Sequence, residues 1–225
     1  MCQAVRTLVV PPMTVVTQTS LHEPATPLGQ LYLTPLMLAA IRGDIQLVND
    51  LLQEPEIDVN EADEQGNTAI FLACGARREA VVLRLLEDPS LDLDHTNHEL
   101  ATVFHVACLH GLLEAVQRLA AHPQIFINQG NCVGNTGFII AAAHNHLTVV
   151  TFLLEHNSLD SNQGDDNGLT AFMAAAARGH IDVVRAMMVH PSVDVRTKDH
   201  RNLTALDMAR VNGHAEIVAL LENIV

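Results

Sequence analysis

The chain has 225 residues, 48% of them hydrophobic and 17% charged, and its 12 Lys and Arg face 26 Asp and Glu for a formal charge of -14. Such a balance predicts an ordered, soluble protein, and the acid excess argues against nucleic acid, whose phosphates call for clustered Lys and Arg. Aromatic residues make up 3%, with no Trp and one Tyr, so base-stacking platforms and large interface anchors are scarce.

Residues 1–28 carry four of the nine prolines. The apolar run from Leu8 to Val16 is broken by Pro11 and Pro12 and has no Ala-x-Ala cleavage site downstream. Crossing a bilayer takes roughly 18 to 20 apolar residues, so this stretch reads as a capping or flexible arm, and no membrane partner is expected. Cys2, Cys74, Cys108 and Cys132 are too few and too irregular for a disulfide framework, which points to a reducing cytosol.

Beyond the arm the sequence repeats with a period of 34. Thr34, Thr68, Thr102, Thr136, Thr170 and Thr204 form one column, Ala39, Ala73, Ala107, Ala141, Ala175 and Ala209 a second, and Val48, Val82, Val116, Val150, Val184 and Val218 a third. Leu51, Leu85, Leu119, Leu153, Met187 and Leu221 make a fourth, and Pro55, Pro89, Pro123 and Pro191 punctuate the copies, with Asn157 in the same column. Each Thr suits a helix N-cap, and Pro35 occupies the first helical position, where its missing N–H costs nothing. Gly43, Gly111, Gly179 and Gly213, with Asn145, tolerate the left-handed turn that ends this first helix, whereas Arg77 leaves the second turn in doubt. A second helix is expected to run to the Pro column. Residues 55–67 then alternate apolar and polar around Ile57, Asp58, Val59 and Asn60, as an extended finger would.

A tetratricopeptide unit has the same period, but it wants bulky aromatics and short connections. The motifs here resemble the ankyrin repeat, most fully in Asp165-Asp166-Asn167-Gly168-Leu169-Thr170, Ala175-Ala176, Gly179-His180 and Val183-Val184. The resemblance implies an all-α solenoid of helix-turn-helix units with finger loops. Its repeats would occupy residues 29–62, 63–96, 97–130, 131–164, 165–198 and 199–225, giving a domain over 29–225. The first repeat departs from the pattern, with Gly29 and Tyr32 in the loop positions of Asp and Gly.

In a solenoid each unit covers its neighbour's apolar face, so the last one shows a polar face. The column Ala40, Cys74, Cys108, Ala142, Ala176 ends in Arg210, and Glu222 follows Leu52, Leu86 and Leu154 in another, so the stack is expected to close there. Cys74 and Cys108 are accordingly packed small residues and not nucleophiles. His146, His180 and His214 hold the Gly-His position, and His122, His156 and His190 are expected to end second helices. Thirteen histidines suggest metal, but equivalent positions on stacked helices lie roughly 8–10 Å apart, too far for one coordination shell. His98 with Cys132, on adjacent fingertips, is the pairing to inspect. No phosphate loop, His-Glu-x-x-His pair or Gly-x-Ser-x-Gly elbow occurs. The chain is therefore read as no enzyme, with no cofactor, no catalytic residue and no metal site.

Function falls on positions free to differ between copies. The resemblance implies a protein partner on the concave face of fingers and first helices, and here that face comprises Arg42, Glu64, Gln65, His98, Glu99, His110, Cys132, Val133, His144, Asp166, Asn167, Arg178, His200 and Arg201. Residues 44–64 contain eight acids and no Lys or Arg, whereas residues 178–210 hold six bases against four acids. A basic segment of the partner is thus expected near the first two fingers. Leu52, Asp58, Val59 and Asn60 resemble the pattern on which an asparaginyl hydroxylase modifies ankyrin repeats, making Asn60 a candidate acceptor. Lys198 is the single lysine, a composition that fits escape from ubiquitin attachment in a foreign cytosol and fits genome composition equally well. The expected role is a monomeric, cytoplasmic, non-enzymatic scaffold, adaptor or inhibitor. The alternative is a targeting domain of a larger enzyme, or a bacterial effector acting in a host cytosol.

Overall fold

The computed structural model describes residues 33–222; the expectations for the arm, for Cys2 and for Gly29 and Tyr32 lie outside them. Helices alternate in two rows. The first-helix row is α1 (Pro35–Arg42), α3 (Ala69–Gly75), α5 (Val103–His110), α7 (Gly137–Ala143), α9 (Ala171–Arg178) and α11 (Ala205–Val211). The second row is α2 (Ile45–Leu51), α4 (Glu79–Leu85), α6 (Leu113–Ala120), α8 (Leu147–Leu154), α10 (Ile181–Met188) and α12 (Ala215–Glu222). Each helix packs on its partner within the repeat and on the equivalent helix of the next repeat, as in a stack.

The threonine column starts the first row as expected. Thr34, Thr136, Thr170 and Thr204 accept the N–H three residues on at 3.2–3.3 Å. In repeat three the cap is reinforced by His105, whose Nδ1 accepts the Thr102 N–H at 3.1 Å and meets its hydroxyl at 2.8 Å. The alanine column is fully buried, which lets adjacent first helices approach closely. Ala40, Cys74, Cys108, Ala142 and Ala176 are buried too, whereas Arg210 is exposed and pairs with Glu222 at 2.7 Å. Leu36, Ile70, Phe104, Phe138, Phe172 and Leu206 form a further column that runs through the core as an aromatic rib. The few aromatics are therefore largely spent inside.

The doubtful second turn is intact, because Arg77 takes the left-handed conformation itself, at φ 56°, like Asn145 at φ 60°. Second helices stop short of the proline column, at Leu51, Leu85, Ala120, Leu154 and Met188. N–H groups of the following turn claim their last carbonyls, as in Glu54 to Leu51, Asp88 to Leu85 and His156 to Leu153, all at 3.0 Å. His122, His156 and His190 correspondingly lie past the helices, their Nδ1 accepting the N–H of Gln124, Ser158 and Ser192. The fingers are extended only locally, with isolated bridges at Ala62–Thr68, Gly130–Thr136 and Gly164–Thr170.

At the finger turns a positive φ is taken by Gly66, Gly134, Gly168 and Asn202, but also by Leu100 at φ 54°. A side chain with a Cβ is strained there by about 1–2 kcal/mol, offset in part by the entropy a glycine loses on folding. Leu100→Gly is expected to raise the unfolding free energy by about 0.5–1 kcal/mol, read as a higher denaturant midpoint at unchanged slope.

Candidate protein-binding face

Three sets of bonds fix the spacing of the variable positions. At the fingertips the backbones are joined directly: the N–H of His98, Cys132, Asp166 and His200 donates to the carbonyl of Gln65, Glu99, Val133 and Asn167, at 2.9–3.2 Å. In the loops before the fingers, Asn60 Nδ2 donates to the Ser90 carbonyl at 2.7 Å while its Oδ1 accepts the Asp92 N–H at 2.8 Å. Asn128 and Asn162 repeat this with Ser158 and Asp160, and with Ser192 and Asp194. At the opposite end of the first helices, Nε2 of His146, His180 and His214 meets the carbonyls of Leu109, Ala143 and Ala177 at 2.8–2.9 Å. Arg78 does the same to Ile41 through Nε at 3.0 Å. These rings clamp one repeat to the one before it. The repeat sequence marks them as equivalent but does not say that their target lies 37 residues upstream.

Fourteen positions predicted for partner binding fall on two edges of this assembly. Glu64, Gln65, His98, Glu99, Asp166, Asn167, His200 and Arg201 are exposed fingertips, and Cys132 and Val133 are half-buried ones. Arg42, His110 and Arg178 end first helices and His144 caps α7, so these four recur along the stack at the far edge; Arg42 and Arg178 are exposed, His110 and His144 half-buried. The structure brings the two groups into parallel rows and not into one cluster. Asn60 is half-buried and held at both ends of its amide.

The acidic run of residues 44–64 is spread more widely than its sequence density suggests. Asp44 caps α2 by accepting the Leu47 N–H, and Asp50 on α2 accepts from Gln46. Asp63 is buried, with Oδ1 accepting the N–H of Gln65 and Asn67 at 2.9 and 2.7 Å and Oδ2 accepting from Asn67 Nδ2 at 3.2 Å. It holds the finger in shape, as Asp165 and Asp199 do further along. Glu64 beside it is the exposed carboxylate of that fingertip.

The histidines divide by environment. Burial pushes His105 down to about 4, and with Nδ1 accepting the Thr102 N–H the neutral ring carries its proton on Nε2, which donates to the Gln129 carbonyl at 2.9 Å. Burial also pushes His110 down to about 4, helped by the charges of Arg77, His146 and His144. His144 is lowered by burial as well, and its ring stacks on His146 with centroids 6.4 Å apart. Burial raises the thiols of Cys74 and Cys108, both free and enclosed, which makes them poor nucleophiles. Among the described residues no group of three or more His, Cys, Asp or Glu is placed to hold a metal ion, the neighbourhood of His98 and Cys132 included. No helix among the described residues is long and apolar enough to cross a membrane.

A family model described as ankyrin repeats in three copies matches residues 4–97, 89–165 and 138–224. The chain belongs to the ankyrin-repeat family. The ankyrin repeat protein EF0377 resembles it at 27% identity with a TM-score of 0.74, the match covering 84% of this chain and 96% of that one. An ankyrin repeat domain from Acinetobacter baumannii AYE is similar at 25% identity and a TM-score of 0.71, again over 84% and 96% of the two chains. No curated protein sequence matches. Ankyrin repeats are in general protein–protein interaction modules, and this ankyrin-repeat protein has the all-α repeat fold that the resemblance implied.

Proposed function

We propose that this ankyrin-repeat protein is a non-enzymatic scaffold, adaptor or inhibitor that acts by occupying a protein partner, which it grips between fingertips and first-helix ends. One observation carries the reading: the positions that stay alike from repeat to repeat are mostly buried or bonded between repeats, and those that differ are exposed or half-buried along these two edges. Specificity is written where the stack does not need the residue. The bonded spacing between fingers keeps the edge pre-organised, so binding loses little to ordering.

Glu64 is the fingertip carboxylate that a basic segment of the partner would meet, because Asp63 is consumed by its own turn. Fingertip substitutions Glu64→Lys and Arg201→Glu are expected to weaken partner capture by about tenfold each in low salt and less in high salt. Arg118→Ala on the exposed side of α6 should leave it unchanged. Affinity measured for a partner captured by the immobilised chain checks this; equal loss from all three substitutions, or loss from none, removes the assignment of the face.

A further inference from the structure

The helix-end row has a charge character of its own. In order along the stack it reads Arg42, Ala76, His110, His144, Arg178 and Asn212, with Arg77 beside Ala76 and no acid among them. None of Arg42, Arg77 and Arg178 forms an ion pair among the described residues. His110 Nε2 is shut from solvent without a hydrogen-bond partner. His144 Nδ1 lies 3.0 Å from the Ile140 carbonyl, which makes Nδ1 the donor and leaves Nε2 of the neutral ring as an acceptor. The charges acting on His110 come from Arg77, His146 and His144 and those acting on His144 from Arg178, His146 and His180, and all are cationic when charged. Arg178 Nη1 donates to the Ala143 carbonyl at 3.1 Å, and three arginines without an ion pair along one row, in a chain of formal charge -14, are a feature that solubility does not require.

We propose that the row Arg42, Arg77, His110, His144 and Arg178 takes an acidic segment of the protein partner, and that the contact loads a proton onto His144. This rests on the face assigned above and names the chemistry it accepts at the edge away from the fingertips. A neutral His144 cannot donate to a carboxylate, since its one N–H is committed to Ile140; the protonated ring gains an Nε2–H that can. Its hydrogen bond to Ile140 survives the change. Without a carboxylate, burial and the neighbouring cations lower the proton affinity of His144, and the anion itself raises it. Proton uptake on binding requires that binding tighten as pH falls.

Spacing selects the shape of the segment. Stacked helices recur at roughly 8–10 Å, and a polyproline II chain presents every third residue on one side at about 9.3 Å. An acidic residue at every third position therefore meets successive repeats. A nucleic acid would bring a denser line of charge than this row of three Arg and two titratable rings can neutralise, within a protein whose overall field repels it.

The test uses the full chain with labelled peptides of five Glu-Pro-Pro units and of five Gln-Pro-Pro units, and a single-stranded oligothymidylate, followed by fluorescence anisotropy. The Glu peptide is expected to bind about tenfold tighter than the Gln peptide at pH 6 and to lose about threefold or more on moving to pH 7.5. The double substitution His110→Gln with His144→Gln should abolish most of that pH dependence, while Arg42→Gln, on an exposed side chain, weakens the Glu peptide about threefold at both pH values. The double variant is needed because the whole protein also becomes less negative as pH falls. Circular dichroism melting confirms that the variants fold, and Arg42→Gln carries the test if the histidine pair does not tolerate replacement. Equal binding of the two peptides, tighter binding of oligothymidylate, or unchanged pH dependence in the double variant overturns the proposal. Partner capture that depends on Glu64 but not on Arg42 or the histidines defeats the acidic segment alone; capture indifferent to every substitution on either edge defeats the face itself.

Discussion

Phe138→Ala is expected to lower the unfolding free energy by about 3–5 kcal/mol, the range for emptying a buried aromatic site. Phe138 is 2% exposed at the middle of the rib, one repeat from Phe104 on one side and from Phe172 on the other. The cavity opens where α7 packs on both α5 and α9, so neither neighbour can close it without leaving the other. Stability in a stack is a sum of unit terms and neighbour terms, and a wound in the fourth unit weakens two of the latter. Urea unfolding should therefore broaden or split into two stages, and amide exchange should accelerate most in α7 and α8. Phe126→Ala supplies the contrast. That residue is 72% exposed and stands where the other loops carry Asp58, Asp92, Asp160 and Asp194, so its removal should cost less than about 0.5 kcal/mol.

Acid is expected to weaken the fold well above the range in which carboxylates titrate. His105 has an ordinary value of 6.5 and is held down to about 4 in the fold. The unfolded chain takes up the proton first, so the stabilisation is whole above pH 6.5 and drains away as pH falls toward 4. The loss amounts to about 3 kcal/mol at 1.36 kcal/mol per pKa unit. His110 moves in the same direction, with a smaller contribution because it is half exposed. Asp199 and Asp207 are held below the ordinary carboxylate range by the N–H groups of Leu203 and Thr204, and their contribution is lost only at still lower pH. Denaturant midpoints measured between pH 7.5 and 4.5 check the slope. His105→Gln should start less stable, since the bonds to Thr102 and Gln129 are disturbed, and should vary less with pH. A wild-type midpoint that stays level down to pH 4.5 would contradict this account of the ring.

Most of the architecture could be read from columns, because a period of 34 makes each residue type vote several times for the same role. The threonine caps, the buried alanines, the enclosed Cys74 and Cys108, and the outward Arg210 all followed from position within the copy. Contacts between copies did not, since a column says which residues are equivalent and not what each one touches. The rings of His146, His180 and His214 serve the preceding repeat, and Asp63 turns its charge inward to hold a finger, so its carboxylate is unavailable to a partner. Second helices end before the prolines because turn N–H groups take their carbonyls first, a competition that the Pro column does not reveal. The candidate face was proposed from the sequence as a set of variable positions. Its division into a fingertip row and a helix-end row of different charge needed the stack.

The bonds that join repeats, from His146 back to Leu109 and from Asn60 forward to Ser90, span 37 and 30 residues and go no further than the next unit. Drawn out from its two ends, such a chain gives way in instalments. Each unit of 34 residues releases about 100–115 Å of slack, its extended length less the roughly 8–10 Å it spans in the stack, while the rest holds its form. A partner lying across several units would act as a splint against that tension, and letting go of it would leave the molecule an extensible tether.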